Sequence, residues 1–231
     1  MKKKVAVLTT VYPMNESFLY DFFMSLSEQN CHGFDVVVVN DGYKNFSEII
    51  GKFKAINIIE LKCNDTVSKN REYGIRYVVS NHYDVLIFGD SDDCFPSNRV
   101  RVLYDYLEKF DIVVNDISLF DDSSIYSENY MSNRIANNTE IDLEFVKNKN
   151  IFGLTNTAVN TSKLQDVTFD SDLVAVDWYL FSKLLSDGCS AVFTNETQTY
   201  YRQHENSEIG IGSISTESIR KGVDVEIKHY Q

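Results

Sequence analysis

Apolar runs and amphipathic stretches alternate along the first half of the chain. Five apolar runs predict strands at 5–10, 34–40, 56–61, 84–89 and within 111–120. The stretches between them place apolar side chains at helical spacing, as Phe22, Phe23 and Leu26 do, and Asn15 is a candidate N-cap for this first helix. Strand and helix in alternation predict an α/β fold, with a mostly parallel central sheet flanked by helices.

The second half of the sequence is less regular. Residues 121–140 are polar and rich in Ser and Asn, which predicts a long loop, and residues 174–186 predict a helix that ends at Gly188. Shorter apolar runs predict strands at 151–160, 191–194 and 198–202. Residues 207–231 are expected to form a loop and then a frayed helix. A chain of 231 residues is expected to form one domain, or two intimate halves.

Three carboxylates follow the fourth predicted strand. Asp90, Asp92 and Asp93 come directly after its apolar residues, and Pro96 breaks the chain just beyond. In an extended segment alternate side chains point the same way, so Asp90 and Asp92 are expected to face one side. Two neighbouring anions repel unless a cation lies between them, and oxygen ligands favour Mg²⁺ or Mn²⁺. Such a metal suggests a nucleoside diphosphate beside it; the alternative is a solvated turn that caps the next helix.

The carboxyl ends of the predicted parallel strands are expected to meet in one cleft. Ligands of open α/β sheets bind at this edge. Thr10 and Tyr12 follow the first strand and Asp41 follows the second, while Asp90 and Asp92 follow the fourth. The sequence therefore predicts that these side chains converge, although they are far apart along the chain.

Composition narrows the classes of partner. The formal net charge of −12 argues against nucleic acid and allows at most peripheral contact with anionic membranes. The four cysteines form no CxxC pair, which is typical of free thiols in a reducing cytosol. Every apolar run is too short to cross a bilayer, and the first is too short for a signal peptide. We therefore expect a cytoplasmic location.

Six segments, in consecutive order, resemble those of one enzyme family. They read LTTVY at 8–12, VVNDG at 38–42, KNREYGI at 69–75, FGDSDD at 88–93, VDWYL at 176–180 and YRQHENS at 201–207. In these segments the chain resembles the family 2 glycosyltransferases of the GT-A type, including bacterial polysaccharide and rhamnosyltransferase-like members. It departs from the family's pattern at Asn40, Tyr43 and Val176, and in the order of Asn70 and Arg71.

The resemblance implies a single GT-A domain over residues 1–231. Residues 1–118 would form the half that binds the nucleotide sugar, and residues 119–231 the smaller half that binds the acceptor. The implied activity is metal-dependent transfer of a sugar from a UDP- or dTDP-linked donor, with Mn²⁺ or Mg²⁺ as cofactor. The implied acceptor is a glycan or lipid-linked glycan in the synthesis of a bacterial surface polysaccharide.

The resemblance assigns the donor site to the strand ends and the helix after the third strand. Asp92 is the predicted metal ligand, Asp90 is expected to contact the ribose or a metal-bound water, and Asp93 is expected to hold the turn. Asp41 is expected to accept a hydrogen bond from the base, the alternative being an ordinary Asp-Gly turn. The same pocket is expected to be lined by Thr9, Thr10 and Tyr12. Arg71 is assigned to the nucleotide sugar.

Transfer to an acceptor hydroxyl needs a group that takes its proton. Asp177 is the candidate general base, giving single displacement with inversion; the alternative is a carboxylate that favours the helix dipole. Trp178 is predicted to pack beside the acceptor sugar or, alternatively, in the core. His204 is a candidate metal ligand or a structural residue. Arg202 is assigned to the diphosphate or, alternatively, to a pair with a surface carboxylate.

Two other functions stay open at this point. A nucleotidyltransferase can share a related sheet, but it needs a glycine-rich basic loop after the first strand, and residues 9–15 contain no glycine. A non-catalytic sugar-nucleotide-binding protein is compatible with the altered residues around Asp41 and Asp177. The products formed from nucleotides and sugar nucleotides would distinguish the three functions.

Overall fold

A computed structural model of the chain describes residues 3–121, 124–147 and 149–203. His204 and the predicted loop and helix at 207–231 lie outside the described residues. None of the helices in the described ranges combines the length and apolar character that a membrane span requires.

The described residues form nine strands and six α-helices. The strands are β1 (Val5–Val11), β2 (Phe34–Asn40), β3 (Asn57–Lys62), β4 (Val85–Phe88), β5 (Ile112–Phe120), β6 (Ile125–Ser127), β7 (Glu140–Ile141), β8 (Thr157–Asn160) and β9 (Ala191–Arg202). The α-helices are α1 (Glu16–Ser27), α2 (Phe46–Ile50), α3 (Val67–Ser80), α4 (Arg99–Tyr106), α5 (Leu143–Val146) and α6 (Val176–Ser186). A short 3₁₀-helix spans Thr161–Lys163.

All nine strands belong to one sheet, in the order β3-β2-β1-β4-β8-β5-β9-β7, with β6 paired to β5. The pairs β1–β2, β1–β4, β2–β3 and β5–β9 are parallel. β8 runs antiparallel to both of its neighbours, β4 and β5, and β6 and β7 are antiparallel to theirs. The predicted α/β fold with a mostly parallel sheet is confirmed.

The two faces of the sheet bury separate apolar clusters. Along β2, Val36 and Val38 belong to one cluster, and Val37 and Val39 belong to the other. They divide in this way because successive side chains of a strand point to opposite faces. All four valines are fully buried. The unbroken valine run is thus a strand covered on both faces, as predicted.

The helix ends agree with the sequence signals. Asn15 precedes α1, and its side chain accepts a hydrogen bond from the Ser17 backbone N–H, which confirms the predicted cap. Thr66 caps α3 in the same way, through the Lys69 backbone N–H. Gly188 follows α6 with a φ of +85°, a left-handed conformation that favours glycine.

Two strand predictions were wrong in their extent. The strand expected at 151–160 is limited to Thr157–Asn160. Before it, the Asn156 side chain accepts from the Gly153 N–H and donates to the Ile151 carbonyl, which folds this segment onto itself. The two strands expected at 191–194 and 198–202 are one strand, β9, and its pairing with β5 skips residues 195–197.

Gly74 allows α3 to approach the sheet closely. A Cβ atom at this position would lie 2.7 Å from a methyl carbon of Leu8 and 2.9 Å from one of Val39. A larger side chain would therefore push α3 away from β1 and β2. The close approach brings the first turns of α3, which carry Arg71, to the carboxyl edge of the sheet.

α3 also holds a segment from the second half of the chain, through a set of contacts that we call the Glu72 clasp. The Glu72 carboxylate accepts from the Phe169 N–H at 2.8 Å and from Lys69 Nζ at 3.0 Å, and it pairs with Arg76 Nε at 2.9 Å. Lys69 Nζ also donates to the Phe169 carbonyl. Burial raises the pKa of the Glu72 carboxyl, but the three donors outweigh it, so the pKa lies below its ordinary value.

Candidate active site

The three carboxylates after β4 lie in a turn, not in an extended segment. The Asp93 N–H donates to the Asp90 carbonyl at 3.2 Å, and the Ser91 hydroxyl donates to the Thr10 carbonyl at 2.8 Å. The expectation that residues 90–93 form an extended segment was therefore wrong. The physical reason is that Ser91 is anchored to β1, which bends the backbone after Gly89.

Asp93 fixes this turn from inside the protein. Its carboxylate is fully buried and accepts from the Thr155 hydroxyl at 2.5 Å and from the Arg202 backbone N–H at 2.8 Å. Burial raises the pKa of the Asp93 carboxyl well above its ordinary value, and the negative charges of Asp92 and Asp90 add to this effect. The turn is therefore built into the core, which contradicts the alternative of a purely solvated turn.

A buried guanidinium lies beneath the turn. Arg99 is fully buried and donates to the side chain of Asn115 and to the carbonyls of Phe88 and Thr155, at 3.1, 2.9 and 2.6 Å. Burial lowers the pKa of Arg99 to about 9, although the nearby Asp93 and Asp90 oppose this change. Its Nη1 atom has no hydrogen-bond partner among the described residues. Arg99 thus remains a cation at neutral pH behind the acidic turn.

Arg202, at the end of β9, connects the turn to α1. Its Nε donates to the Asp92 carbonyl at 2.8 Å, and its Nη2 pairs with the Asp21 carboxylate at 2.7 Å. The guanidinium carbon lies 4.5 and 4.4 Å from the ring centroids of Phe18 and Phe120. The sequence left two roles open for Arg202, a contact with the diphosphate and a pair with a carboxylate. The structure contains the second, with Asp21 as the carboxylate. The residue is only 5% exposed, which disfavours a direct phosphate contact.

Arg71 joins two acidic residues that are distant in the sequence. Its Nη2 lies 3.5 Å from Asp90 Oδ1, and its positive charge also lowers the pKa of Asp177. The charge of Arg71 thus acts on Asp90, in the turn after β4, and on Asp177, in the first turn of α6.

Asp177 lies in the first turn of α6 and is half-buried. One of its carboxylate oxygens accepts from the Trp178 backbone N–H at 2.8 Å. Burial raises the pKa of the Asp177 carboxyl; the Trp178 N–H, the charge of Arg71 and the side chain of Asn150 oppose that rise without cancelling it. A carboxyl with a raised pKa suits proton transfer near neutral pH better than an ordinary surface carboxylate.

Trp178 lies in the first turn of α6 and is half-buried. Its indole N–H donates to the Val146 carbonyl at the end of α5, at 3.3 Å. This contact fixes the ring beside α5, and the predicted contact with an acceptor sugar stays a prediction.

A narrow depression opens at the carboxyl edge between β1 and β4. It is lined by Leu8, Thr9, Thr10, Arg71, Phe88, Gly89, Asp90 and Leu154. The structure therefore brings together four of the predicted donor-site residues, from two strand ends and one helix. The Thr9 hydroxyl is buried and has no hydrogen-bond partner among the described residues.

Asp41 lies in a turn that the side chain of Asn40 closes. The Asn40 amide oxygen accepts from the Tyr43 N–H at 2.8 Å, and Gly42 adopts a φ of +82°. The Asp41 N–H donates to the Val11 carbonyl at 2.7 Å, which holds this turn against the end of β1. An open depression of about 710 Å³ adjoins the turn, between the ends of β2 and β3, and is lined by residues that include Gly42, Tyr43, Lys62 and Asn64.

The acidic turn fits a hard divalent cation. No cluster of three His, Cys, Asp or Glu side chains suited to a metal occurs in the described ranges. Mg²⁺ and related ions are commonly bound by one or two carboxylates, with water and substrate phosphates completing the coordination. Asp90 lines the depression between β1 and β4, and Asp90 and Asp92 are both half-buried oxygen donors of the acidic turn, so the turn matches this pattern. His204, the other predicted ligand, lies outside the described residues.

Three residues of the site escaped the sequence reasoning. No sequence pattern indicated Thr155 or Asn150, because Thr155 contacts Asp93 and Asn150 contacts Asp177, and each partner is distant in the sequence. A pattern did indicate Arg99, since this residue falls on the apolar face of α4, four residues before the buried Leu103. A charged residue at such a position indicates a buried polar network.

Comparison with known proteins agrees with this geometry. The sequence profile of glycosyl transferase family 2 matches residues 7–171. S. aureus TarS (residues 1–349) in complex with UDP-GlcNAc is similar in structure, with a TM-score of 0.73 and 17% identity over 98% of this chain and 66% of that one. GalNAc-T7 with UDP, GalNAc and Mn²⁺ gives a TM-score of 0.67 and 13% identity over 88% of this chain and 44% of that one. No curated sequence is significantly similar to the chain.

The fold and the acidic cleft define the class of GT-A glycosyltransferases. The chain belongs to glycosyl transferase family 2, as the six segments predicted. It spans 66% of the TarS chain and 44% of the GalNAc-T7 chain, and at these identities the two structures establish the fold alone.

Proposed function

We propose that this protein transfers a sugar from a nucleoside diphosphate donor, UDP- or dTDP-linked, to a hydroxyl group of a glycan acceptor. The observation that carries the proposal is the pair between Arg71 and Asp90 at the carboxyl edge of the sheet, in the depression that Thr9 and Thr10 also line. Sugar transfer needs groups that bind the leaving diphosphate, which this pair would supply, and a base for the acceptor hydroxyl, which we assign to Asp177.

The donor occupies the carboxyl edge of β1, β2 and β4. Asp41 accepts a hydrogen bond from the base, and Asp90 contacts the ribose. Thr9, Thr10 and Tyr12 line the nucleoside pocket, and the buried, unpartnered hydroxyl of Thr9 supports a ligand contact there. Arg71 faces the developing negative charge of the diphosphate. The TarS complex with UDP-GlcNAc supports a nucleotide sugar as the donor.

Asp92, with His204, would hold a Mn²⁺ or Mg²⁺ ion. When bound, such an ion neutralises charge on the leaving diphosphate. The carboxylate oxygens of the acidic turn support this assignment, and so does the Mn²⁺ in the GalNAc-T7 structure. The turn set by Ser91 and Asp93 keeps the two donor carboxylates at the cleft.

Asp177 takes the proton of the acceptor hydroxyl as the new bond forms. Attack from the face opposite the diphosphate gives single displacement with inversion. The raised pKa of the Asp177 carboxyl supports this role, and Trp178 packs beside the acceptor sugar. We assign the acceptor to a bacterial surface polysaccharide, free or lipid-linked, at the cytoplasmic side of the membrane, because of the resemblance in the six segments.

Release of UDP from UDP-sugars, with Mn²⁺ or with EDTA, tests the proposal. We expect Mn²⁺-dependent release that is lost in Asp92→Asn and in Asp177→Asn. The matched control is Asp187→Asn, at the far end of α6, where the carboxylate is exposed and pairs only with Lys183 among the described residues. This control is expected to retain wild-type release.

Two results would replace the proposal by another function. Mn²⁺-dependent binding of UDP without turnover on any acceptor would indicate a non-catalytic binding protein. Pyrophosphate formed from UTP and a sugar phosphate would indicate a nucleotidyltransferase.

A further inference from the structure

Arg202 makes an unusually dense set of contacts for the last residue of a strand. Its side chain reaches the Asp92 carbonyl, the Asp21 carboxylate and, at 3.8 Å, the Cys94 sulfur. Its backbone N–H donates to the Asp93 carboxylate. One residue thus contacts three consecutive positions of the acidic turn, together with α1.

The contact with Asp92 uses the backbone of that residue. Arg202 Nε donates to the carbonyl of Asp92, not to its carboxylate. This hydrogen bond therefore restrains the backbone of Asp92 and does not itself use the Asp92 carboxylate oxygens. A lysine has a single ammonium group in place of the planar guanidinium, so it would not donate to the Asp92 carbonyl and to the Asp21 carboxylate as Arg202 does.

The surroundings make this restraint stiff. The guanidinium carbon lies 4.5 and 4.4 Å from the ring centroids of Phe18 and Phe120. These two cation–π contacts and the ion pair with Asp21 restrain a side chain that is only 5% exposed. The preceding strand is paired with β5 up to Arg202 itself, so the backbone of the arginine is fixed as well.

We propose that Arg202 is a positioning residue, which sets the geometry of the acidic turn so that Asp92 binds a divalent cation together with a nucleoside diphosphate. This inference rests on the proposed function, because it requires the turn to hold a metal. It replaces the direct phosphate contact that the resemblance assigned to Arg202. Residues that orient a metal ligand change metal affinity by roughly 10- to 100-fold when they are altered.

The test measures Mn²⁺ affinity directly, from the electron paramagnetic resonance signal of free Mn²⁺ in the presence of saturating UDP. Arg202→Met removes the contacts of the guanidinium, and Arg202→Lys retains the charge. Asp21→Asn is the control, because it removes the outer partner and leaves the Asp92 contact. We expect Mn²⁺ affinity to fall roughly 10- to 100-fold in Arg202→Met, to fall less in Arg202→Lys, and to change less than about threefold in Asp21→Asn.

A second titration separates positioning from direct phosphate binding. UDP affinity measured calorimetrically in EDTA is expected to be the same in the wild type and in both Arg202 variants. An equal loss of UDP affinity with and without metal would mean that Arg202 binds phosphate itself, and would overturn the inference. Melting temperatures establish that each variant is folded. If Arg202→Met does not fold, the Mn²⁺ and UDP affinities of Arg202→Lys are compared with those of the wild type instead.

The proposed function and this inference fail differently. If the wild type binds no Mn²⁺ in the presence of UDP, the metal-dependent function is wrong and the inference falls with it. If the wild type binds Mn²⁺ and the folded Arg202 variants bind it equally well, the inference alone is wrong.

Discussion

The charge of Arg71 acts on Asp177 as well as on Asp90. Burial raises the pKa of the Asp177 carboxyl, and the guanidinium of Arg71 counteracts part of that rise. A carboxyl in this setting exchanges protons more readily near neutral pH than an ordinary surface carboxylate does. The chemistry of the candidate base therefore depends on a residue that α3 supplies.

Asp177→Asn removes the proposed base and keeps its shape. We expect kcat to fall by roughly 10²- to 10⁴-fold, with little change in KM for the donor, because the lost interaction belongs to proton transfer. Steady-state kinetics at saturating donor measure both values. A fall in kcat of less than about threefold would contradict the assignment of Asp177 as the base.

Arg71→Met should move the acidic limb of the pH–rate profile. The base works as a carboxylate, so kcat rises with pH through the pKa of Asp177. Because the Arg71 charge lowers that pKa, its removal raises the pKa, and the limb moves to higher pH. The matched control is Arg76→Met, from the exposed side of the same helix, which pairs with Glu72. A limb that stays in place in Arg71→Met would show that another group titrates.

At the level of single residues, the sequence identified the candidate site residues that lie within its motifs. Asp90, Arg71 and Asp177 were selected because each stands in a recognisable segment, and the structure pairs Arg71 with Asp90. The conformation of the acidic turn was missed, since it depends on Ser91 reaching Thr10, which lies on another strand. The contacts of Arg202 with the turn after β4 were not predicted either, because they join segments that are distant in the sequence.

Helix α3 combines two functions, because it presents Arg71 to the cleft and holds the Phe169 segment through the Glu72 clasp. Its packing is unusually tight at Gly74, where a Cβ atom would meet both β1 and β2. Periodicity in the sequence predicted the helix and its buried face. It did not predict the clasp, because the partner is a backbone amide nearly one hundred residues away.

Glu72→Gln should destabilise the fold in a pH-dependent way. The pKa of the Glu72 carboxyl is lowered on folding, so its contribution is present above the ordinary value of 4.5 and is lost as pH falls through the folded-state pKa. Urea unfolding at pH 7 is expected to show a loss of about 1–3 kcal/mol, which shrinks as the pH falls below 4.5. Glu108→Gln, at an exposed position, is the control and should show neither effect. A loss that is independent of pH would contradict the role of the charge.

Gly74→Val should overpack the contact between α3 and the sheet. We expect a loss of about 1–3 kcal/mol in the free energy of unfolding, because Leu8 and Val39 leave no room for the new side chain. Tyr73→Val introduces the same residue at a neighbouring position that is 42% exposed, and it should change stability by less than about 0.5 kcal/mol. Equal effects of the two substitutions in denaturant titrations would contradict the packing argument, because helix propensity alone favours valine over glycine.

The molecule as a whole is organised by a sheet that both halves of the sequence share. β8, from the second half, lies between β4 and β5, and the predicted division at residue 118 falls near the end of β5. The sequence predicted the alternating first half well, because each unit there is local. The place of β8 between β4 and β5 could not be predicted from the sequence, since the periodicity of a four-residue strand does not indicate which strands it pairs with.

The shared sheet predicts cooperative unfolding. Trp178, the only tryptophan in the chain, belongs to α6, contacts α5 through its indole N–H, and reports on the second half. We expect its fluorescence and the far-ultraviolet circular dichroism to give the same urea midpoint, because neither half completes its sheet alone. Two separate midpoints would indicate that residues 1–118 and 119–231 fold as independent domains.

β8 follows β5 in the sequence although it lies between β4 and β5 in the sheet, and this order affects folding during synthesis. On the ribosome, β1 to β5 emerge before the strand that joins β4 to β5, so the hydrogen-bonding edge of β4 stays open until Asn160 has been synthesised. An open strand edge is a template for pairing with other chains. During that interval the nascent polypeptide is exposed to misassembly, and protection by a chaperone would matter most there.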